Sequence, residues 1–357
     1  MNRVTLGDVC KKASSNIAQK DLNGNEGEYP IYGASGYIKT VDFYHQEEPY
    51  IAIVKDGAGI GRTMLLPAKS SVIGTMQYIL LKEDKNVDLD YLYYAIVHMN
   101  LGKYFSGATI PHIYFKDYQK EPLNLPDMHE QQQIASIFKK IDALISGRKE
   151  QIEHLDELVK SRFIELFGSE REFGRWPCCN IGDVAEVCVG VVIKPTQYYT
   201  EKGIPAFRSL NIGIMKVKDS DWVYFTEEGH KKNKKSVVRT NDVLIVRSGA
   251  PGTACVATEK YDGYNAVDII IAHPDQGKVN SVFLAAFTNM PHGMNQIKGG
   301  TGGAAQQHFN VGRYKAMTLI MPPLELQQQF ADFVAEVDKS KYCRCKSRRL
   351  LQRVASI

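Results

Sequence analysis

The chain lacks any long apolar run, has few cysteines and carries no acid near its end, and each absence excludes something. No stretch approaches the roughly 18–20 apolar residues that cross a bilayer, so no membrane role is expected. From Met1 to Asp8 a charged residue comes too soon for a secretory leader and no apolar core follows, so a cytoplasmic location is expected. The 7 cysteines are odd in number and irregularly placed. Cys178-Cys179 are adjacent, Cys343-x-Cys345 has no second ligand pair, and Cys10, Cys188 and Cys255 stand alone. They read as reduced thiols, with neither a disulfide framework nor a metal site. No Asn-Pro-Pro-aromatic or Asp-Pro-Pro-aromatic sequence of the adenine methyltransferase kind occurs, and no spaced acids end in the Glu-x-Lys of a nuclease. No catalytic residues are therefore expected.

What is present is a soluble composition with locally concentrated charge. Of 357 residues, 44% are hydrophobic and 10% aromatic, which fits folded domains and excludes disorder. The net charge is only +4, yet Lys231-Lys232-Asn233-Lys234-Lys235 is a dense cationic run with Arg239 just beyond. After Asp338 the charged residues are all basic, from Lys339 and Lys341 to Arg353. Cationic patches on a near-neutral chain suit a polyanion gripped over a limited face.

The sequence also nearly repeats itself. Gln131-Gln132-Gln133-Ile134 returns as Gln327-Gln328-Gln329-Phe330, and the same offset aligns Gly107-Ala108 with Gly303-Ala304, His112-Ile113 with His308-Phe309, Tyr118 with Tyr314, and Pro126 with Pro322. Upstream the offset shrinks: Leu6-Gly7-Asp8-Val9 answers to Ile181-Gly182-Asp183-Val184, and Tyr29-Pro30-Ile31 to Ile204-Pro205-Ala206. A period this long is a duplicated domain rather than a solenoid unit. Two similar but non-identical surfaces result, suited to a target in two parts.

Each copy closes on a helical segment. From His129 to Phe167 there is no proline and one glycine, Gly147, and Gly168 ends the run. Ile134, Phe138, Ile141, Ile145, Arg148, Ile152, Leu155, Val159, Arg162 and Leu166 alternate spacings of four and three, a heptad seam. At 1.5 Å per residue such a helix spans on the order of 60 Å, longer than a small domain needs. The second copy begins alike, with Phe330, Val334 and Val337 on the seam. Its next seam positions are Lys341, Arg344 and Arg348, so the middle of a paired coil is expected to be poorly packed or completed by another subunit.

In each globular half a β-branched run ends in a basic residue and a glycine loop: Lys55-Asp56-Gly57-Ala58-Gly59-Ile60-Gly61-Arg62 and Arg247-Ser248-Gly249-Ala250-Pro251-Gly252. A nucleotide-binding reading of the first loop fails, because the Walker spacing needs glycine where Asp56 stands and lysine where Arg62 stands. Second glycine-rich segments, 106–112 and 299–308, precede each helix. His112 and His308 recur without a matched carboxylate or thiol, which favours structural or DNA-contacting histidines over metal or catalysis. Glycine permits close backbone approach to phosphate, and Lys, Arg, Gln and His supply phosphate or base-edge contacts. The candidate DNA contacts are Lys55, Arg62, Thr109 and His112 in the first half. In the second they are Arg208, Lys231, Lys232, Lys234, Lys235, Arg247, Gln306, Gln307 and His308.

The segment Leu125-Pro126-Asp127-Met128-His129-Glu130-Gln131-Gln132-Gln133-Ile134-Ala135, continuing to Ile141-Asp142, resembles the conserved segment of type I restriction–modification specificity subunits. Gly107-Ala108-Thr109-Ile110-Pro111-His112-Ile113 resembles the glycine-rich element that closes their recognition domains. Both recur in the second copy, with Leu326 in place of Glu130, so the resemblance covers the chain. It implies an α+β protein: two α/β target-recognition domains joined by long helices that form an antiparallel coiled coil. The expected bounds are 1–128 and 169–322 for the domains, and 129–168 and a shortened 323–357 for the helices. Each domain would read one half of a bipartite, asymmetric site in double-stranded DNA, with the helices setting the gap. The helices would also dock two modification subunits, through Ile134, Phe138, Ile141, Ile145, Ile152, Leu155, Val159, Phe330, Val334 and Val337. Two restriction subunits complete the implied complex. S-adenosylmethionine, ATP and Mg would belong to those partners, and this chain would need no cofactor or metal. The competing expectations are a silent or recombining specificity variant and a coiled-coil scaffold without a nucleic-acid role.

Overall fold

A computed structural model describes residues 2–107, 110–299 and 309–355. The chain divides into two compact units, Met1–Arg148 with Ser347–Ile357, and Lys149–Lys346.

In the first unit the strands are β1 (Asn2–Thr5), β2 (Cys10–Ser14), β3 (Tyr29–Gly33), β4 (Gly36–Val41), β5 (Tyr50–Val54), β6 (Thr63–Leu66), β7 (Ser71–Val72), β8 (Met76–Leu81) and β9 (Pro122–Leu125). Its helices are α1 (Leu6–Val9), α2 (Leu89–His98), α3 (Phe115–Tyr118) and the start of α4 (Met128–Phe167). Strands β2-β8-β5-β6 form an antiparallel sheet. A smaller sheet runs β4-β3-β7, with β3 antiparallel to β4 and parallel to β7. Strand β5 is buried along its whole length, which explains its unbroken apolar sequence. Ile51 and Ile53 face a core containing Leu92 and Ile96 of α2, while Tyr50, Ala52 and Val54 face Val72 and Tyr78.

The second unit holds β10 (Cys178–Asn180), α5 (Ile181–Val184), β11 (Ala185–Val189), β12 (Tyr199–Thr200), β13 (Ile204–Phe207), β14 (Ile212–Gly213), β15 (Lys216–Val217), β16 (Val223–Phe225) and α6 (Glu227–Lys232). There follow β17 (Val243–Val246), β18 (Ala254–Val256), β19 (Asn265–Ala266), β20 (Ile269–Pro274), α7 (Ser281–Asn289), α8 (Pro291–Gly299), α9 (Val311–Lys315), β21 (Thr318–Ile320) and α10 (Leu324–Ala355). The repeat seen in the sequence is a repeat of topology. The order β11-β20-β17-β18 reproduces β2-β8-β5-β6, and β16-β13-β19 reproduces β4-β3-β7, down to one antiparallel and one parallel pairing. Strand β10 pairs with β21 as β1 pairs with β9.

The repeated polar residues hold this frame. Asp8 accepts from the Thr5 amide at 2.7 Å, and Asp183 from the Asn180 amide at 2.9 Å, each closing the turn into the following short helix. Tyr118 and Tyr314 are fully buried, bonded to Gln77 and Thr288 respectively.

Gln131 and Gln327, the first residues of the repeated glutamine triplets, are also buried. Gln131 Oε1 accepts from the Asp88 amide at 2.8 Å, and its Nε2 donates to the carbonyls of Pro126 at 2.9 Å and Asn86 at 3.2 Å. Gln327 Oε1 accepts from the Asn280 amide at 2.9 Å, and its Nε2 donates to Pro322 at 2.8 Å. Asp88 and Asn280 are the capping residues of α2 and α7. One amide thus clamps the start of each long helix to the start of an earlier helix, α2 for α4 and α7 for α10.

Helix α4 begins where Asp127 accepts from the Glu130 amide at 2.9 Å, and stops at Gly168, whose φ of +90° is left-handed. In the first unit Phe138 stacks on Tyr94, at 5.0 Å between ring centres, and Ala135 and Ile134 join the core. In the second unit the end of α4 packs antiparallel on the start of α10. Asp156 meets Lys341, Arg162 lies over Phe333, and Phe163 meets Phe330.

Two seam expectations change here. The residues buried at the end of α4 are Val159, Phe163 and Phe167, while Arg162 and Leu166 are half-buried. The seam slips from heptad to four-residue spacing because a straight helix drifts about 20° per heptad. Phe163 is the hub, within 4.9–5.8 Å of Phe167, Phe283, Phe330 and His292. The basic seam is also met at its first position. Lys341 is only 18% exposed and pairs with Asp156 at 2.8 Å and with Asp338 at 3.3 Å, so charge continues the packing there. The side chains of Arg344 and Arg348 lie outside what is described.

Candidate nucleic-acid interface

In the first unit the two glycine-rich segments come together. The Gly57 amide donates to the Pro111 carbonyl at 2.9 Å, and the Ile113 amide to Lys55 at 2.9 Å. Ser106 and His112 exchange a pair of backbone bonds at 2.8 Å. His112 Nδ1 lies 2.7 Å from Asp56 Oδ1, and Lys55 Nζ lies 3.7 Å from Asp56 Oδ2. A carboxylate partner for His112 thus comes from the neighbouring loop. The second copy places Ser248 where the first has Asp56, and His308 lies outside the described residues.

Arg62 is exposed and reaches the β3–β4 turn, where its guanidinium donates to the Ala34 carbonyl at 2.6 Å. The turn, the loop after β5 and residues 106–107 and 110–114 therefore form one surface. Around it Phe105, Ile110 and Tyr114 are at least half exposed, with Tyr114 stacked toward His112 and Lys116 over its ring. These three side chains were not among the sequence candidates, and the signal that could have found them was their place beside the glycine segment. Two of the glycines answer to the protein's own packing. A Cβ at Gly61, with φ +78°, would sit 2.4 Å from the Gly102 amide nitrogen, and one at Gly107, with φ +99°, 2.5 Å from the Ile110 carbonyl oxygen. Thr109 lies outside the described residues.

In the second unit the equivalent basic residue is engaged. Arg247 pairs with Asp268 at 2.5 Å, with its side chain 15% exposed, and its Nε donates to the Phe309 carbonyl at 3.3 Å. Arg208 donates to the Asp221 carbonyl, and its amide donates to Asn211 Oδ1 at 2.9 Å. The Val267 amide donates to Phe207 at 2.8 Å, which brings Arg208 and the Arg247–Asp268 pair to the same end of β19. At the other end, the Ser236 hydroxyl donates to Asn265. The exposed Lys231, Lys232, Lys234 and Lys235 precede it on α6 and the turn that follows, with Lys232 paired to Glu228 at 2.6 Å. Cationic groups thus flank both ends of β19. Gln306, Gln307 and His308 lie outside the described residues.

Among the described residues no group of three or more His, Cys, Asp or Glu side chains could hold a metal ion. No helix among them is long and apolar enough to cross a membrane. One frame is built twice, with cationic side chains near strand ends in both units, which defines a duplicated α+β protein.

Comparison with known proteins names the family. The family model described as the type I restriction modification DNA specificity domain matches residues 1–154 and 175–343. The chain belongs to that family, whose specificity subunits are non-catalytic. It is 25% identical over 271 residues to the type I restriction enzyme MjaVIII specificity subunit of Methanocaldococcus jannaschii, covering 68% of this chain and 62% of that one. It is 22% identical over 333 residues to a Haemophilus influenzae protein described as the putative type I restriction enzyme specificity subunit S.HindORF215P, covering 89% of this chain and 83% of that one. The fold is like that of the crystal structure of the type I restriction–modification system S subunit from M. genitalium, with a TM-score of 0.61, 14% identity, and coverage of 99% and 93%.

Proposed function

We propose that this chain is the DNA-reading subunit of a type I restriction–modification complex, with each recognition domain contacting one half of a bipartite, asymmetric site. The observation that carries the reading is one topology built twice with different loop chemistry, Lys55-Asp56 against Arg247-Ser248. Identical domains would suit a palindrome, whereas unlike loops on a shared frame suit unlike half-sites.

In this reading Lys55, Arg62, Thr109 and His112 contact the first half-site. Arg208, Lys231, Lys232, Lys234, Lys235, Gln306, Gln307 and His308 contact the second. Arg247, held by Asp268 and the Phe309 carbonyl, sets the loop's shape rather than gripping a phosphate. The long helices dock two modification subunits, which bring S-adenosylmethionine, and two restriction subunits add ATP- and Mg-dependent cleavage in the cytoplasm.

Co-expression with the cognate modification subunit in a methylation-free host, followed by genome-wide mapping of N6-methyladenine, tests this. A split, asymmetric motif methylated on both strands is the expected result. A soluble, co-purifying complex that methylates nothing would reject it in favour of a silent variant.

A further inference from the structure

Cys188, solitary in the sequence, is not solitary in space. On β11 it opposes Ile271 of β20, and Glu186 opposes His273, so Cys188 and His273 are diagonal neighbours on one face. Cys188 Sγ lies 3.6 Å from His273 Nε2, and His273 Nδ1 lies 2.6 Å from Asp242 Oδ1. Asp242 is 3% exposed and His273 13% exposed, and the other carboxylate oxygen of Asp242 accepts from the Arg239 amide at 2.6 Å. The carboxylate is therefore fixed, and it fixes the ring. Cys188 itself is half-buried, so small reagents can reach it. Its thiol also donates to the Lys235 carbonyl at 3.1 Å, within the cationic run.

We propose that Cys188 is a modification site for low-molecular-weight disulfides, and that its modification loosens the Lys231–Lys235 segment. Hydrogen bonding to Asp242, then contact with Cys188, raises the His273 pKa to about 9 against the opposing effect of burial. The ring is therefore an imidazolium at neutral pH, placed beside the sulfur. In the reacting form the thiolate attacks one sulfur of the disulfide. A new sulfur–sulfur bond forms at Cys188, the old one breaks, and the departing thiolate takes the His273 proton. One protein thiol is oxidised and half of the disulfide is reduced to a free thiol. The adduct ends the contact with the Lys235 carbonyl that anchors the turn. The chemistry at Cys188 stands alone, while any effect on DNA rests on the function proposed above.

The test exposes the full chain to oxidised glutathione and follows each cysteine by peptide mapping. Cys188 should be modified roughly 10-fold or more faster than the exposed Cys178, and His273→Gln should remove that advantage while leaving Cys178 unchanged. Equal rates at Cys188 and Cys178 in the native chain would overturn the proposal without need of a variant. Hydrogen exchange across 231–236, measured without DNA, should accelerate on modification and recover with a reducing agent. Unchanged protection there would sink the coupling, whatever the DNA experiments show.

Discussion

Replacing Gln327 by leucine tests whether the repeated glutamine is a structural clamp. The side chain is fully buried, so leucine fits the space but offers no polar atoms. The substitution strands two groups, the Asn280 amide and the Pro322 carbonyl, each costing about 1–3 kcal/mol when left unpaired. The expected loss is about 4 kcal/mol, a large part of the roughly 5–15 kcal/mol of a typical domain. At Gln131 three partners are stranded, those at Asp88, Pro126 and Asn86, so Gln131→Leu should cost about 1–2 kcal/mol more. Urea unfolding of the DNA-free chain reads the total. Hydrogen exchange locates it, because Asn280 caps α7 by accepting from the amides of Val282 and Phe283. Those amides should exchange on the order of a thousandfold faster, the equivalent of about 4 kcal/mol. A Gln327→Leu chain within about 0.5 kcal/mol of its parent would refute the clamp.

Phe163→Ala should destabilise the second unit by about 3–5 kcal/mol, since its ring is fully buried among three other phenylalanines; a loss below about 1 kcal/mol would contradict the hub. His273 links stability to pH: its pKa rises from 6.5 to about 9 on folding, so its contribution is complete below pH 6.5 and is lost as pH climbs through 9. That contribution is roughly 3 kcal/mol. The stability gap between the native chain and His273→Gln should therefore shrink between pH 6 and pH 10, and a gap independent of pH would reject the pairing. For DNA, Arg62→Ala and the pair Lys234→Ala with Lys235→Ala should weaken binding by the assembled complex. Each lost phosphate contact should flatten the salt dependence by about one unit of slope. An unaltered slope would remove those residues from the interface.

The duplicated frame was legible because its matches are residues with buried duties. The Leu6-Gly7-Asp8-Val9 and Ile181-Gly182-Asp183-Val184 runs close equivalent helix starts, and Tyr118 and Tyr314 are buried in the short helices α3 and α9. The long helices were legible from spacing, but the hub of their packing was not. A strict heptad count passes over Phe163 and Phe167, because it ignores the drift of a straight helix and ring size. Lys341 looked like a flaw for a related reason: one helix's pattern does not reveal that the facing helix supplies Asp156. Charge alone also did not reveal that Arg247 has a partner, Asp268, on a different strand connection.

Burial and variation divide the two copies along the same line. Several positions that match across the repeat are buried and hold the frame: Gln131 and Gln327 bond to backbone at helix starts, and Tyr118 and Tyr314 bond to Gln77 and Thr288 in the cores. Positions that differ lie on the loops after β5 and β17, where Lys55-Asp56 holds His112 in one copy and Arg247 reaches Asp268 and Phe309 in the other. A frame whose polar groups are internally satisfied does not depend on its loops for stability, so the loops can change without unfolding it. Under the proposed function, that separation lets one fold, used twice, read two different sequences. It also predicts where exchange between relatives succeeds: a graft of residues 55–62 together with 106–113 keeps the side-chain pair of Asp56 and His112, whereas a graft of either alone separates it. Thermal unfolding of the three grafts decides it, and a single-loop graft as stable as the double would break the argument.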